Sequence, residues 1–170
     1  MATGSSHDVG RLFRDVMGHF CTGIAIITSY DDAGPVGLTC QSVASVSLSP
    51  PLVLFCGGKR SQSLPRILAT GRFAISILSA RHRDMALQFA VSGAEKFRYD
   101  QWLLSPGGLP QLVGALVHVE CKVEAVHPAG DHDIVVGLVE YIEASSEAMP
   151  LLFYRSEFHQ VGSALAIDGE

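Results

Sequence analysis

Charge is what this sequence has least of. Asp, Glu, Lys and Arg make up 17% of its 170 residues, while 48% are hydrophobic. An average globular chain is about 25% charged. Disorder needs the opposite balance, low hydrophobicity with high net charge, and is excluded. With a mean hydropathy of +0.29, the chain carries more apolar surface than one small domain hides. A homo-oligomer with a sizeable interface is expected. Long apolar runs are missing too: none approaches the ~20 residues of a bilayer-spanning helix, so no membrane protein is expected. Met1 to Asp8 show neither the charged nor the apolar region of a secretory signal. The expectation is a cytoplasmic protein.

Cysteine is sparse. Cys21, Cys40, Cys56 and Cys121 form no C-x-x-C pair, which leaves zinc knuckles and thioredoxin-type motifs without support. Four cysteines in 170 residues make no disulfide scaffold either, and buried, reduced thiols are expected. GxSxG, HExxH, GxGxxG and GxxxxGK[ST] are all absent. Serine hydrolase, zincin, Rossmann and P-loop readings therefore lack their motifs. No repeat or low-complexity linker divides the chain, which reads as one domain over residues 1–170 with its core at about 10–160.

The few charges are unevenly placed. Net charge is −5, yet Lys59 to Arg98 holds eight basic side chains against Asp84 and Glu95, a local balance of +6. A basic segment in an acidic protein suits a small anionic ligand better than nucleic acid, which the remainder would repel. The same charges could equally point in several directions and only solvate the surface.

Leu12, Phe13, Val16, Met17 and Phe20 recur at helical spacing, so residues 8–20 read as an amphipathic helix with Asp8 as N-cap. Strands are expected at 22–30, 36–39, 52–56, 73–78, 117–125, 134–141 and 151–154, and further helices at 61–69 and 83–90, with Gly71 closing the first of these. Residues 42–49 read only as a serine-rich run, and 92–108 as irregular. In 117–125, Val117, Val119, Cys121, Val123 and Ala125 alternate with His118, Glu120, Lys122 and Glu124, the pattern of a strand with one wet face. Strands outnumber helices and no βαβ rhythm occurs. The fold class is mainly β: an antiparallel barrel with peripheral helices.

Chemistry has three places to live. Thr39-Cys40-Gln41-Ser42, followed by Ser45, Ser47 and Ser49, offers hydroxyls and backbone N–H groups beside buried strands. Gly57-Gly58-Lys59-Arg60-Ser61-Gln62-Ser63 joins a strand to a helix and resembles a generic anion cradle. Gly130-Asp131-His132-Asp133 sets an imidazole between carboxylates, which can orient it or raise its pKa. Each also has a plain reading, as ordinary serine turns, a strand-to-helix connection and a solvated turn histidine. His118 and His127 lack metal-ligand spacing with His132, so no metal is expected; His7, His19, His82 and His159 look incidental.

Taken in order, these stretches resemble the short-chain flavin reductase family, the reductase components of two-component flavin-dependent aromatic monooxygenases, on the FMN-binding split β-barrel. The resemblance runs from Phe20 to about Phe158 and is carried by Thr22-Gly23-Ile24, Gly37 to Ser42, Ser45-Val46-Ser47-Leu48-Ser49-Pro50-Pro51-Leu52-Val53, Ser61, Phe73-Ala74-Ile75, Gly130-Asp131-His132 and Pro150 to Tyr154. It implies a homodimer with flavin at the interface, NADH or NADPH as hydride donor, FMN or FAD as acceptor, and a separate oxygenase that takes the reduced flavin. By the same resemblance Thr39, Gln41, Ser42, Ser45 and Ser47 line the isoalloxazine and ribityl chain, with Cys40, Cys56 and Gly57 beside them. Lys59, Ser61 and Ser63 hold phosphate. His132, the candidate catalytic residue, lies with Tyr154 and Arg155 where the nicotinamide dinucleotide binds. Gln41 and Ser76 both stand where many relatives carry Asn, which leaves FMN and FAD both open. A different class of function on the same barrel is a non-enzymatic flavin or haem carrier or sensor, and a plain dimerising module is a third.

Overall fold

The computed structural model describes residues 6–93, 95–144 and 147–162. The elements are α1 (Ser6–Met17), β1 (Thr22–Gly23), β2 (Ala25–Asp31), β3 (Gly34–Cys40), β4 (Val43–Leu48), β5 (Pro51–Gly58), α2 (Ser63–Thr70), β6 (Arg72–Ile77), α3 (Arg83–Ala90), β7 (Trp102–Leu104), β8 (Pro110–Leu112), β9 (Val117–Ala129), β10 (His132–Ala144), β11 (Leu151–Tyr154) and β12 (Glu157–Gln160). Seven strands form one antiparallel sheet in the order β3-β2-β6-β9-β10-β5-β4. Its first and last members, β3 and β4, are joined in the chain by only Gln41 and Ser42. So short a link forces the sheet to curl until its edges meet, with Cys40 Sγ at the end of β3 reaching Cys56 C=O at the end of β5 at 3.5 Å. The result is the expected antiparallel barrel. Strands β1, β11 and β12 form a small second sheet, and β7 and β8 pair by themselves.

Strand β2 shows why the core has two halves. Its residues Ala25 to Ser29 are all buried, because the strand is covered on both faces. Ala25 and Ile27 join Val36, Leu38, Phe55, Ile67, Phe73, Ile75 and Val135 inside the barrel. Ile24 and Ile26 look outward, into a second cluster with Leu78, Met85, Ala86, Phe89 and Leu112 under α3 and β8. Gly71, at φ 68°, stops α2 by donating to Leu68 C=O, as its position suggested.

Five sequence expectations change. Residues 42–49 contain a true edge strand, β4, and the stretch read as irregular contains β7. Helix α1 spans Ser6–Met17, so Asp8 sits within its first turn and not at the N-cap position. Strand β9 does not keep one face wet: Lys122 and Glu124 are exposed, but His118 and Glu120 are buried. The segment holding β7 and β8 folds over them: Ser76 Oγ takes Leu112 N–H at 3.2 Å and meets His118 Nδ1 at 3.2 Å, and Gly107 N–H reaches Glu120 Oε1 at 3.4 Å. The thiols are free, and Cys40 and Cys121 are buried, but Cys21 is exposed.

His82 is structural rather than incidental. Ser79 N–H donates to its Nδ1 at 3.2 Å, and its Nε2 meets Val113 C=O at 3.2 Å. Burial lowers the pKa of both His82 and His118 below the ordinary 6.5. A folded-state value below the unfolded one means that the unfolded chain binds more protons between the two. Stability from this source is complete above about pH 6.5 and is lost as pH falls towards the lowered values. Urea unfolding from pH 7 down to pH 5 should show a falling unfolding free energy, and replacing both histidines with Gln should flatten that slope.

Gly137 sits at a bulge in β10, where a Cβ would lie 2.4 Å from Phe73 Cζ and 2.8 Å from Cys121 Cβ. Phe73 is fully buried and packs edge-on against Phe55 with ring centroids 5.0 Å apart. Gly137→Ala should cost about 1–3 kcal/mol through overpacking. Adding Phe73→Leu should recover part of that loss, a non-additivity readable in a double-mutant cycle of urea midpoints.

Candidate functional site

The seam opens into a cleft of about 370 Å³. Its walls come from five places in the chain: Thr39 and Cys40 at the end of β3, Gln41 and Ser42 in the link, Cys56 to Gly58 at the end of β5, Ser61 and Ser63 at the start of α2, and His132 at the start of β10. The closing wall is Phe89, Ala90, Ser92 and Lys96. Gly57 makes room for a buried side chain of α2: a Cβ there would fall 2.7 Å from Leu64 Cδ1, so Leu64 would have to shift to admit one.

Several of these groups are already committed. Thr39 Oγ1 donates to Ala86 C=O at 2.6 Å and ties β3 to α3. Ser61 Oγ accepts the N–H groups of Ser63 and Leu64, both at 3.2 Å, and so caps α2 where Gln62 makes no side-chain cap. The buried Cys40 thiol points at Cys56 C=O at 3.5 Å, and burial pushes its pKa up to about 11. It stays a neutral thiol and is no nucleophile.

His132 stands at the mouth. The β9–β10 hairpin turns through Gly130 and Asp131, with Gly130 at φ 62° and Ala129 paired to His132. His132 Nδ1 lies 2.8 Å from Asp131 Oδ1, and this bond holds the Asp131 carboxyl below its ordinary pKa. With Nδ1 donating to the carboxylate, Nε2 is left facing Gly58 and the cleft.

Lys59 does not line the cleft. Its Nζ donates to Gly130 C=O at 2.7 Å and lies 3.7 Å from Asp133 Oδ1, while its backbone N–H donates to Asp131 C=O at 2.9 Å. It pins the hairpin that carries His132. Ser45 and Ser47 lie along β4 outside the cleft, where Ser47 Oγ takes Ser49 N–H at 3.2 Å. Tyr154 and Arg155 lie at the turn between β11 and β12. There Arg155 has a φ of 50°, its N–H donates to Gly18 C=O at 2.8 Å, and neither side chain enters the cleft. Sequence reading missed Phe89, Ser92 and Lys96 as wall residues. The one available signal was Lys96's place in the basic segment, because the stretch around it has no periodicity.

Beyond Gln41, Ser42 and His132, which line both spaces, lies an apolar groove of about 1270 Å³, walled by Phe13, Met17, Phe20, Ile24, Val43 and Leu54 among others. Among the described residues no group of three His, Cys, Asp or Glu side chains could hold a metal ion. A polar cleft with hydroxyls, a cation and an imidazole, opening onto an apolar groove, fits a flat heteroaromatic ring with an anionic tail.

Comparisons with known proteins agree with this geometry. The model of the flavin reductase like domain matches residues 17–162. The chain is 44% identical over 148 residues to the reductase subunit HsaB of a flavin-dependent monooxygenase from Rhodococcus jostii, covering 87% of this chain and 76% of the relative. The crystal structure of nitrilotriacetate monooxygenase component B from Mycobacterium thermoresistibile superposes with a TM-score of 0.88 at 39% identity, covering 96% of each chain. The NADH:FAD oxidoreductase SgcE6 of Streptomyces globisporus, solved in complex with NAD and FAD fragments, superposes with a TM-score of 0.85 at 33% identity over 99% of this chain and 100% of its own. With most of its length matched in this way, the chain belongs to the flavin reductase-like domain family and is a flavin reductase.

Proposed function

We propose that this enzyme moves a hydride from NADH or NADPH to FMN or FAD and releases the reduced flavin to a separate oxygenase in the cytoplasm. The observation that carries the reading is the seam cleft: polar along the Gln41–Ser42 link, free of any activated nucleophile, and overlooked by an oriented imidazole. Flavin supplies the ring atom that accepts hydride, and no side chain needs to form a covalent bond. In this reading Gln41 and Ser42 meet the polar edge of the ring, and Ser61 and Ser63 lie towards its phosphate end. His132, held by Asp131, meets the nicotinamide dinucleotide. The chain's contribution is to stack two flat rings at reacting distance and to keep water out.

We propose in addition that the working unit is a homodimer. Helix α1 leaves Val9, Leu12, Phe13 and Val16 between 56% and 66% exposed. A 12-residue helix with a bare apolar face does not hold itself together in water. A second copy laid over this face would also roof the groove that runs into the cleft. Leu12→Asp with Phe13→Asp should turn the dimer into a monomer in sedimentation equilibrium at low micromolar concentration, and NADH oxidation should fall with it. A dimer that survives both charges would place the interface elsewhere.

The decisive assay is simple. Purified protein should oxidise NADH only when FMN or FAD is present, whereas a carrier would bind flavin and oxidise nothing. In that assay His132→Ala should raise the KM for the pyridine nucleotide several-fold, in line with the loss of one hydrogen bond of about 1 kcal/mol. The flavin Kd and the Tm should stay within error of wild type, because exposed turn residues contribute little to stability. An unchanged KM and kcat would leave His132 a solvated turn residue.

A further inference from the structure

The β9–β10 hairpin carries His132 beyond its own support. Strand β6 pairs with β9 from Val117 to Lys122, Val123 N–H donates to Gly71 C=O at 2.8 Å, and the last four residues of β9 are exposed. Past that point β5 is the strand that flanks the hairpin, and its ladder ends where Gly58 faces His132. The turn residues Gly130 and Asp131 lie beyond that last rung. Lys59, the next residue of the chain after β5, reaches both of them. Its backbone N–H donates to Asp131 C=O at 2.9 Å, and its Nζ donates to Gly130 C=O at 2.7 Å. The same ammonium lies 3.7 Å from Asp133 Oδ1. The two carboxylates that flank His132 therefore have different partners. Asp133 faces a cation, and Asp131 is left to hold the imidazole at 2.8 Å. Lys59 acts at the turn from which His132 emerges, without lining the cleft itself. A turn at the end of a hairpin is where local opening starts, and a side chain aimed by its turn loses that aim when the turn moves.

We propose that Lys59 is a positioning residue for the pyridine nucleotide: by fixing the Gly130–Asp131 turn, its ammonium holds His132 with Nε2 at the mouth of the cleft. The inference rests on the reading in which His132 meets the nicotinamide dinucleotide. A lysine at this place has two rival roles, and each leaves a different trace. A cation that met the flavin phosphate would act on FMN and FAD and spare riboflavin, which has the same ring and ribityl chain without a phosphate. A cation that only stabilised the fold would act on every flavin, on the nucleotide and on the Tm together. A positioning residue acts on the nucleotide alone, and only while His132 is there to be positioned.

Lys59→Met keeps the aliphatic stem and removes the charge, at a side chain 41% exposed and away from the core. NADH oxidation at saturating FMN should show the KM for NADH rising about threefold or more with kcat within about twofold of wild type, the split expected when binding common to the ground and transition states is lost. In a His132→Ala background the same replacement should change that KM by less than about twofold, because the group that Lys59 aims is gone. Lys59→Arg should keep the KM within about twofold of wild type, since the charge and its donors remain. The FMN and riboflavin Kd values of Lys59→Met, read from quenching of flavin fluorescence, should each move by less than about twofold, because no phosphate contact is lost. Hydrogen exchange followed by mass spectrometry gives a readout that needs no turnover. In Lys59→Met a peptide spanning residues 127–133 should exchange several-fold faster while the barrel strands keep their wild-type rates. A wild-type KM in Lys59→Met, fully additive effects of Lys59→Met and His132→Ala, or FMN affinity lost with riboflavin affinity kept would overturn the inference. So would unchanged exchange at the turn. If His132→Ala itself leaves KM and kcat at wild-type values, the reading of His132 falls and takes this inference with it, a result distinct from the others.

Discussion

The whole molecule turns on a two-residue link. Gln41 and Ser42 connect the two edges of a seven-stranded sheet, so the sheet cannot stay open. Closure decides what lies inside, and the interior fills with Ile27, Phe55, Phe73, Ile75 and Val135. Closure also brings the ends of β3 and β5 together with the start of β10. Those three strand ends, far apart in sequence, form most of the site. An antiparallel sheet leaves its polar backbone groups unpaired only at such seams and ends. A polar ligand therefore finds its contacts at the seam rather than along the wall.

A second set of interactions aims the site. Thr39 ties β3 to α3, Leu64 packs into the space that Gly57 leaves, and Lys59 clamps the β9–β10 turn. None of the three needs to touch a ligand to matter. Each limits the freedom of a wall that does, which is how a shallow open cleft keeps its shape without deep burial.

The sequence made much of this legible, for identifiable reasons. The barrel class followed from β-branched runs separated by Gly, Pro and Asp, because those signals are local. Thr39 to Ser42, Gly57, Ser61, Ser63 and His132 stood out because glycine, serine and histidine cluster near strand ends, and the fold does gather them. Strand β4 escaped because serine is a poor strand former, and an edge strand has only one neighbour to reveal it. His118 and Glu120 looked wet because alternation records which face a residue takes, not what later covers that face. Lys59 and Lys96 could not be told apart by sequence: both lie in the same basic segment, and only the hairpin arriving 71 residues later claims the first.

The buried thiols have a consequence for the setting in which such an enzyme works. Reduced flavin that escapes into air reacts with oxygen and generates peroxide, so a flavin reductase works close to a source of oxidant. Peroxide attacks the thiolate and largely spares the thiol. Burial pushes Cys40 up to about 11 and Cys121 up to about 12, which leaves roughly one molecule in ten thousand or fewer ionised at neutral pH. Cys40 lines the flavin cleft and Cys121 faces Gly137 in the barrel wall. At both places a sulfur atom fills space in the protein while offering almost none of its reactive form, so the packing that holds the barrel together also shields these two thiols from oxidation.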